Sequence, residues 1–551
     1  MKKSSIDADV IFIGSGINTL VCAAILAMNG KSVLILERNA VSGGCIRTEE
    51  LFPDFHHDIM SMWYPLFVGG AGYGELKEVL DGKGVEFVQN EYSTGIVFPD
   101  GTGLALKSDI EDTVKRLEAC CPGDGSAFGT SAETLFGKDV SLTFGLLNNQ
   151  PFSLNLIRLV FSEWRKRGTN GLLSFMSDSL ESCRRWSLRT FQHEKTRALI
   201  APWVLHTGLG PDEASSALIG KLTFAAVVAG GMPVVKGGSN KLVRALTQVI
   251  EEYGGTIIHN ANVDEIVTQS KKRLFSTQSD SEVAKGVVAN QTLYTAKEHV
   301  VCNVAPDQLY GRFLKNKKQA SLEVRRRAKG YQFGRGGMQV HFALSAPPPW
   351  TEAELVNVPL VHLTESMEQV CLSVTQANNG IIPAKPTLGI GQPTAVDPSR
   401  APEGGWILWV QMQELPSKLK GDALNQIPIP EDGYWTEEVR EAVAQRVQER
   451  LENVMPGLSS LIVGRKSYSP ADLESLNCNL VGGDPYSGVC SPDQFFWLRP
   501  FAPTGSAKCH QTPVKNVLHI GASTHPGPGL GATSGYLVAR QLLKKRFFPS
   551  F

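Results

Sequence analysis

The chain begins with two short apolar runs that flank an apolar stretch of helical length. Residues 10–13 (VIFI) are all hydrophobic, as in a strand buried on both faces, and they lead directly into the Gly-Ser-Gly of residues 14–16. Apolar residues then dominate positions 20–28, which predicts a helix, and a second strand is predicted at residues 32–36. This strand ends on Glu37. The pattern predicts a βαβ unit.

The turn between the first strand and the helix has the features of a dinucleotide-binding loop. Gly14 permits a tight turn, and Gly16, after Ser15, lets the backbone approach a pyrophosphate at the positive end of the helix. Glu37 is placed to accept hydrogen bonds from ribose hydroxyls, and its charge disfavours the 2′-phosphate of NADP. Thr19 replaces the third glycine of the fingerprint, which predicts slightly looser packing of helix on strand. An ordinary α/β turn is the alternative.

A second glycine motif distinguishes FAD from NAD. Arg38 is followed by the pair Gly43-Gly44 and then by Arg47-Thr48. A glycine pair lets a second loop lie flat against a pyrophosphate and flavin, and Arg47 can neutralise phosphate charge. The arrangement E-R-x4-G-G-x-x-R-T resembles the flavoprotein group that contains amine oxidases, phytoene desaturases and Rab GDP-dissociation inhibitors. The resemblance implies that FAD is the cofactor.

The strand-turn-helix pattern recurs near the end of the sequence. Residues 517–520 form an apolar run that leads into GASTHPGPGLGATSG at residues 521–535. So many glycines indicate backbone that approaches a flat ligand, although a glycine-rich surface loop is the alternative. A helix starting near Gly531 would direct its positive end at the pyrimidine edge of a flavin. The predicted cofactor contacts in this loop are Gly521, Gly529, Leu530, Gly531 and Ala532.

A third nucleotide segment is predicted between these ends. A glycine turn at residues 237–238 precedes an amphipathic helix at residues 241–253 and a strand at residues 256–259. In flavoproteins of this group the segment that follows contacts the adenine through its backbone. The resemblance places that contact at Val263.

The order of further motifs narrows the resemblance. The chain is similar to the phytoene desaturase-related FAD-dependent oxidoreductase family, of the carotenoid ketolase type and the type of pyridine nucleotide-disulphide oxidoreductase domain-containing protein 2. Function varies within this family, so the substrate does not follow from the resemblance. The motifs that carry it are GSGINTLVCAA from Gly14, GGCIRTEELFPDF from Gly43, PTAVDPSRAPEG from Pro393, SPADLESLNCNLVGGD from Ser469 and DQFFWLRP from Asp493.

The fold class expected is α/β, an FAD-binding Rossmann-type domain of the glutathione reductase-like kind with an inserted α+β substrate domain. Residues 1–105, 235–310 and 495–551 are predicted to form the discontinuous FAD-binding domain. Residues 106–234, rich in predicted helix, and residues 311–494, with alternating strands, are predicted to form the substrate domain. The apolar helical stretch at residues 154–164 either packs on the core or a partner, or rests on a membrane surface.

Composition excludes several other classes. Lysine plus arginine equals aspartate plus glutamate, 54 against 54, so no net charge attracts nucleic acid. The ten cysteines include no C-x-x-C pair, which argues against a disulfide reductase and for reduced thiols in a cytoplasmic compartment. The apolar stretch at residues 222–235 is too short to span a bilayer. We therefore expect a cytoplasmic protein, with peripheral membrane contact left open.

The predicted reaction is removal of a hydride from a largely apolar small-molecule substrate, of carotenoid- or lipid-like type among the options, with oxygen or a quinone as electron acceptor. An amine or alcohol oxidase, a redox-neutral isomerase using reduced FAD, and a binding protein without catalysis are the alternatives. His525, inside the glycine-rich loop, is the only catalytic candidate, with a loop-stabilising role equally open. Arg499 is expected to form a structural ion pair or to line the substrate side. His56, His57 and Asp58 are adjacent along a strand, so no metal site is expected.

Overall fold

The computed structural model describes residues 7–151, 153–271, 281–315, 322–500 and 509–544. The strands, in chain order, are β1 Asp7–Ile13, β2 Val33–Leu36, β3 Thr48–Phe52, β4 Phe55–Asp58, β5 Phe87–Val88, β6 Tyr92–Val97, β7 Gly103–Lys107, β8 Val234–Val235, β9 Thr256–Ile258, β10 Val263–Lys271, β11 Ser281–Ala289, β12 Thr292–Cys302, β13 Gly336–Leu344, β14 Leu360–Leu363, β15 Ile381–Ile382, β16 Leu388–Gly391, β17 Trp406–Leu415, β18 Gly421–Asp422, β19 Ile462–Tyr468 and β20 Val517–His519.

The α-helices are α1 Ile17–Met28, α2 Pro65–Val68, α3 Ala71–Gly82, α4 Ile110–Cys120, α5 Asp124–Glu133, α6 Val140–Asn148, α7 Leu154–Leu180, α8 Cys183–Thr190, α9 Glu194–Leu205, α10 Ser216–Gly230, α11 Asn240–Glu252, α12 Leu322–Lys329, α13 Met367–Asn378, α14 Glu437–Val454, α15 Leu458–Leu461, α16 Pro470–Leu476 and α17 Thr533–Leu543. Thr134–Asp139 and Asp307–Phe313 are π-helical. Short 3₁₀ turns cover Ala353–Asn357, Pro393–Ala395, Pro398–Arg400, Val481–Gly483, Pro492–Gln494 and Phe496–Leu498.

The first large sheet confirms the predicted α/β class. Its parallel part has the order β9, β2, β1, β12, β20, and β10 and β11 add an antiparallel extension to β12. Strands β1 and β2 are apolar throughout their centres because helices α1, α11 and α17 cover one face and the antiparallel extension lies against the other. Segments from both ends of the chain therefore share one sheet.

The second large sheet lies in the inserted part of the chain, with the order β19, β13, β17, β16, β14, β6, β7. One face packs on helix α14, and the other turns towards helices α9 and α10. The hairpin β6–β7 differs from the predicted boundary at residue 105, because β6 pairs with β14 of this sheet. A hairpin carries no sequence signal for the sheet edge that it joins, since any strand edge offers the same backbone groups. The first nucleotide segment therefore ends before residue 92.

Candidate active site

The two N-terminal glycine loops contact each other at the carboxyl end of β1. Gly14 has a φ of +87° and its N–H donates to the Leu36 carbonyl oxygen, which ties the turn to β2. Gly16 forms a β-bridge with Gly43, whose N–H donates to the Ser15 carbonyl oxygen (3.2 Å). A Cβ at Gly44 would lie 3.2 Å from the Gly16 Cα. Side chains are excluded here by the close approach of the two backbones.

Glu37 is buried and holds the first glycine loop. Its Oε2 accepts hydrogen bonds from the Ser15 N–H (2.8 Å) and the Ser15 hydroxyl (2.6 Å), and its Oε1 accepts one from the Asn39 N–H (2.8 Å). The carboxylate thus receives three donors on two oxygens and still lines the cavity beside the loop. The position predicted for ribose recognition is therefore also a structural support of the loop.

The C-terminal loop closes on the same place. Gly521, with a φ of +112°, donates its N–H to the Ser534 hydroxyl (2.9 Å), and that hydroxyl donates to Asn18 Oδ1 (2.8 Å). Helices α1 and α17 both start at this point without a side-chain cap and without an acidic residue in the first turn. Their free N–H groups and positive ends therefore favour a negatively charged or electron-rich ligand.

A single cavity of ≈ 1170 Å³ joins these segments. Thr19 is buried and lies outside the lining, where its hydroxyl accepts a hydrogen bond from Asn303 (3.1 Å). Arg47 also lies outside the lining and forms an ion pair with Glu49. The predicted cofactor residues that line the cavity are Gly14, Ser15, Gly16, Glu37, Arg38, Gly43, Gly44, Val263, Gly521, Gly529, Leu530, Gly531 and Ala532.

Two further residues shape the nucleotide end and were missed from the sequence. Asn303 directly follows β12, donates its N–H to the Ile13 carbonyl oxygen, and lies between the Gly14 and Gly521 loops. A polar residue at the carboxyl end of a parallel strand was the available signal. Arg312 lines the cavity and donates to the Val263 carbonyl oxygen (2.6 Å). It brings positive charge to the predicted adenine end.

The other end of the cavity lies against the second sheet. Side chains of β17 at alternate positions, Trp409, Gln411 and Gln413, line it, and Gln339 of β13 stands opposite Gln411 in the register. The indole ring of Trp203, on helix α9, lines the same region. These residues come from the inserted segments, so no local motif marked them.

His206, just after α9, joins this wall through a buried hydrogen-bond chain. Gln413 Nε2 donates to His206 Nδ1 (3.2 Å), so the proton of His206 lies on Nε2, which donates to His362 Nε2 (2.9 Å). Burial lowers the pKa of His206 to about 4, and burial next to His206 holds the pKa of His362 well below its usual value. Both rings are therefore neutral at physiological pH.

The structure places His525 behind the glycine-rich loop. Its ring is buried outside the cavity lining, and Nε2 lies 3.0 Å from the Asn149 carbonyl oxygen. Burial lowers the pKa of His525 to about 4. The Arg499 guanidinium is likewise buried and donates to a set of backbone carbonyls, including those of Ala522 (2.7 Å) and Tyr486 (2.8 Å). Its predicted ion pair is replaced by these carbonyls, which connect the DQFFWLRP segment to the glycine-rich loop.

Asp58 belongs to a buried ion network. Arg400 donates to Asp58 Oδ2 (2.6 Å), to Asp397 Oδ2 (3.2 Å) and to the Val235 carbonyl oxygen (2.7 Å). The ring of His57 contacts that of His341 edge-on, with centroids 5.3 Å apart. Within the described ranges no three histidine, cysteine or acidic side chains are grouped so as to hold a metal. The network instead connects the second sheet to the nucleotide segments.

Known proteins share these features. Residues 13–81 match the family model of the NAD(P)-binding Rossmann-like domain. Pyridine nucleotide-disulfide oxidoreductase domain-containing protein 2 of Rattus norvegicus is 24% identical, over 97% of this chain and 94% of that protein. Phytoene desaturase of Fusarium fujikuroi is 24% identical, over 99% and 91%. A limonene dehydrogenase of Castellaniella defragrans is 22% identical, over 97% and 94%.

Solved structures show the same fold. An oxidoreductase from Methanosarcina mazei superposes with a TM-score of 0.59 at 15% identity, over 97% of this chain and 99% of that chain. Cyclohexylamine oxidase from Brevibacterium oxydans superposes with a TM-score of 0.58 at 17% identity, over 98% and 100%. The chain is homologous along nearly its whole length to the phytoene desaturase-related oxidoreductases, and it is a flavin-dependent oxidoreductase.

Proposed function

We propose that the chain binds FAD across the cavity and removes a hydride from an uncharged, largely apolar substrate. The fit to FAD rests on three observations: the side-chain-free contact of Gly16 with Gly43, the uncapped starts of α1 and α17, and Glu37 at the end of β2. Backbone N–H groups at two helix starts suit a pyrophosphate and the electron-rich edge of a flavin. The flavin, when bound, supplies a hydride acceptor.

The charge distribution in the cavity carries the substrate assignment. Among the described lining residues, the side chains charged at neutral pH are Glu37, Arg38 and Arg312, all at the nucleotide end. His206 is neutral because burial lowers its pKa to about 4. A protonated amine moved into this region would lose its hydration without gaining a counter-charge, which costs several kcal/mol. An uncharged substrate has no such penalty.

The substrate end suits a molecule that develops positive charge as hydride leaves. The aromatic residues Trp63, Trp203, Trp409 and Phe495 line it. Aromatic faces stabilise a nearby cation by about 0.5 to 2 kcal/mol. Both nitrogens of His206 are engaged in hydrogen bonds, so this side chain orients the wall and has no free lone pair with which to take a proton. We propose dehydrogenation of an isoprenoid-like or other lipid-like hydrocarbon, with oxygen or a quinone as the final acceptor.

The test uses purified full-length protein. We expect oxidised-flavin absorbance, release of FAD on denaturation, and anaerobic bleaching of that absorbance by limonene or phytoene dispersed in detergent. The product should be lighter by two hydrogens. Cyclohexylamine and putrescine serve as amine controls and should leave the absorbance unchanged. Bleaching by the amines alone contradicts the substrate assignment, and purified protein that neither contains nor takes up FAD contradicts the whole proposal.

Isomerisation is separated from dehydrogenation by product mass. An isomerase working with reduced flavin gives a product of unchanged mass and no net bleaching. Reoxidation by air and by a soluble quinone analogue, followed after anaerobic reduction, identifies the acceptor class. A protein whose reduced flavin reacts with neither contradicts the proposed acceptors.

A further inference from the structure

Helix α7 has its polar and apolar faces reversed relative to an ordinary surface helix. Glu163 and Arg167 face the protein, with side chains only 3% and 7% exposed, and Arg167 Nε donates to Glu163 Oε2 (2.8 Å). Arg167 also pairs with Asp139. A surface helix normally buries its apolar stripe and exposes its charges. Here an ion-pair network occupies the inner face.

The outer face of the same helix is apolar. Leu154, Ile157, Phe161 and Trp164 are spaced three, four and three residues apart, so they lie on one side, and they are 71%, 56%, 56% and 44% exposed. The chain breaks its helical geometry at Gly168 (φ +69°), and exposed apolar residues continue beyond it. Those residues are Leu173, Met176 and Leu180, which are 57%, 57% and 53% exposed. A contiguous apolar surface of this kind marks an interaction site.

Positive charge accompanies this surface. Arg158 and Arg165 are exposed on α7, and neither has an acidic partner in the part of the chain that the structure describes. Lys166 is also exposed and shares Glu163 with Arg167. Free cations beside an apolar helix face complement a surface that is apolar within and negatively charged at its rim. An anionic phospholipid bilayer has this composition.

The outer face of α7 lies one helix layer away from the cavity. Helices α6 and α10 both pack against α7, and Leu159 of α7 lies against Gly145 of α6. On their other sides, Phe144 and Leu147 of α6 and Leu222 of α10 line the substrate end of the cavity. A lipid-like molecule leaving a bilayer beneath α7 would therefore have only this layer to cross.

We propose that the outer face of α7, defined by Leu154, Ile157, Phe161 and Trp164, binds the surface of an anionic phospholipid bilayer with the helix axis parallel to it. The apolar side chains enter the acyl boundary while Arg158 and Arg165 contact lipid phosphates. Among the described helices, none has the length and apolar character needed to cross a bilayer. Attachment at the surface through α7 is thus reversible.

The test is flotation of full-length protein with vesicles of phosphatidylcholine, with and without phosphatidylglycerol. We expect co-flotation with the anionic vesicles and its loss in Phe161→Ser/Trp164→Ser. The matched control Leu322→Ser/Val463→Ser changes apolar side chains that are 78% and 59% exposed elsewhere, and should float like the wild type. Arg158→Gln/Arg165→Gln should weaken binding to anionic vesicles by about 30-fold, from about 1 kcal/mol per cation.

Three outcomes overturn the proposal. The first is wild-type protein that floats with neither vesicle, and the second is a Phe161→Ser/Trp164→Ser variant that still floats. The third is a fall in oligomeric state, measured by light scattering, in that variant but not in the control, because the face would then bind another copy of the chain. Flavin content, measured in parallel, is expected to be unchanged in every variant, since none of the substituted residues lines the cavity.

Discussion

Replacement of Glu37 by glutamine tests whether this carboxylate organises the nucleotide site. Three donors converge on it: the Ser15 N–H and hydroxyl on Oε2, and the Asn39 N–H on Oε1. A carboxamide has one acceptor oxygen and one NH₂ group. If its oxygen faces Ser15, its NH₂ faces the Asn39 N–H, and one donor loses its partner.

The magnitude follows from these contacts. A hydrogen bond to a charged group contributes about 1.5 to 3 kcal/mol, and a ribose hydroxyl donating to the Glu37 carboxylate would lose a bond of this kind. At about 1.4 kcal/mol per factor of ten, we expect the dissociation constant of FAD to rise about 10- to 150-fold in Glu37→Gln. Because Ser15 is also released, the Gly14–Gly16 turn should become less ordered in the variant without FAD.

The assay is a titration of apoprotein with FAD, followed by quenching of flavin fluorescence, together with the flavin content of protein as purified. Glu251→Gln is the matched control, because Glu251 is exposed at the end of α11 in the same domain. A dissociation constant within about twofold of the wild type, in a folded Glu37→Gln protein, would refute the assignment of Glu37 to the nucleotide.

Three further predictions concern the loop, the ion network and acid stability. Gly521→Ala should purify without flavin, measured by absorbance, because Gly521 has a φ of +112° and its new Cβ would overlap Asn303 Oδ1; full flavin content contradicts this. Arg400→Met should lower the free energy of unfolding in urea by about 3 to 5 kcal/mol, since Asp58 and Asp397 lose their buried counter-ion; Asp→Asn changes at both should restore part of it. Stability should fall as pH drops below about 6.5 and level off near 4, because unfolded histidines take up protons that buried ones refuse. Urea unfolding at pH 7 and pH 5 checks this, and equal stability at both contradicts it. The histidines whose pKa burial lowers to about 4 are His206, His519 and His525.

Much of the nucleotide end could be predicted from local sequence. Strand β1, its glycine turn, helix α1 and Glu37 follow one another within a few tens of residues, and each is encoded by backbone requirements that only certain residues meet. The same holds for the glycine-rich loop before α17. Such patterns identify what each segment is and which ligand it suits. They also predicted that both ends of the chain share one site, which the common cavity confirms.

The substrate end depended on tertiary structure. His206 and Gln413 become neighbours only when α9 packs against the second sheet, and neither carries a local signal. His525 was named from its place in a loop, yet the fold turns its ring away from the cavity. The period of an apolar stretch shows that a helix has two faces but does not say which one is covered. For α7 the fold covered the charged face and left the apolar one exposed. Local sequence thus determined the backbone shapes, whereas contacts between distant segments decided which side chains meet, because those contacts depend on the packing of the whole chain.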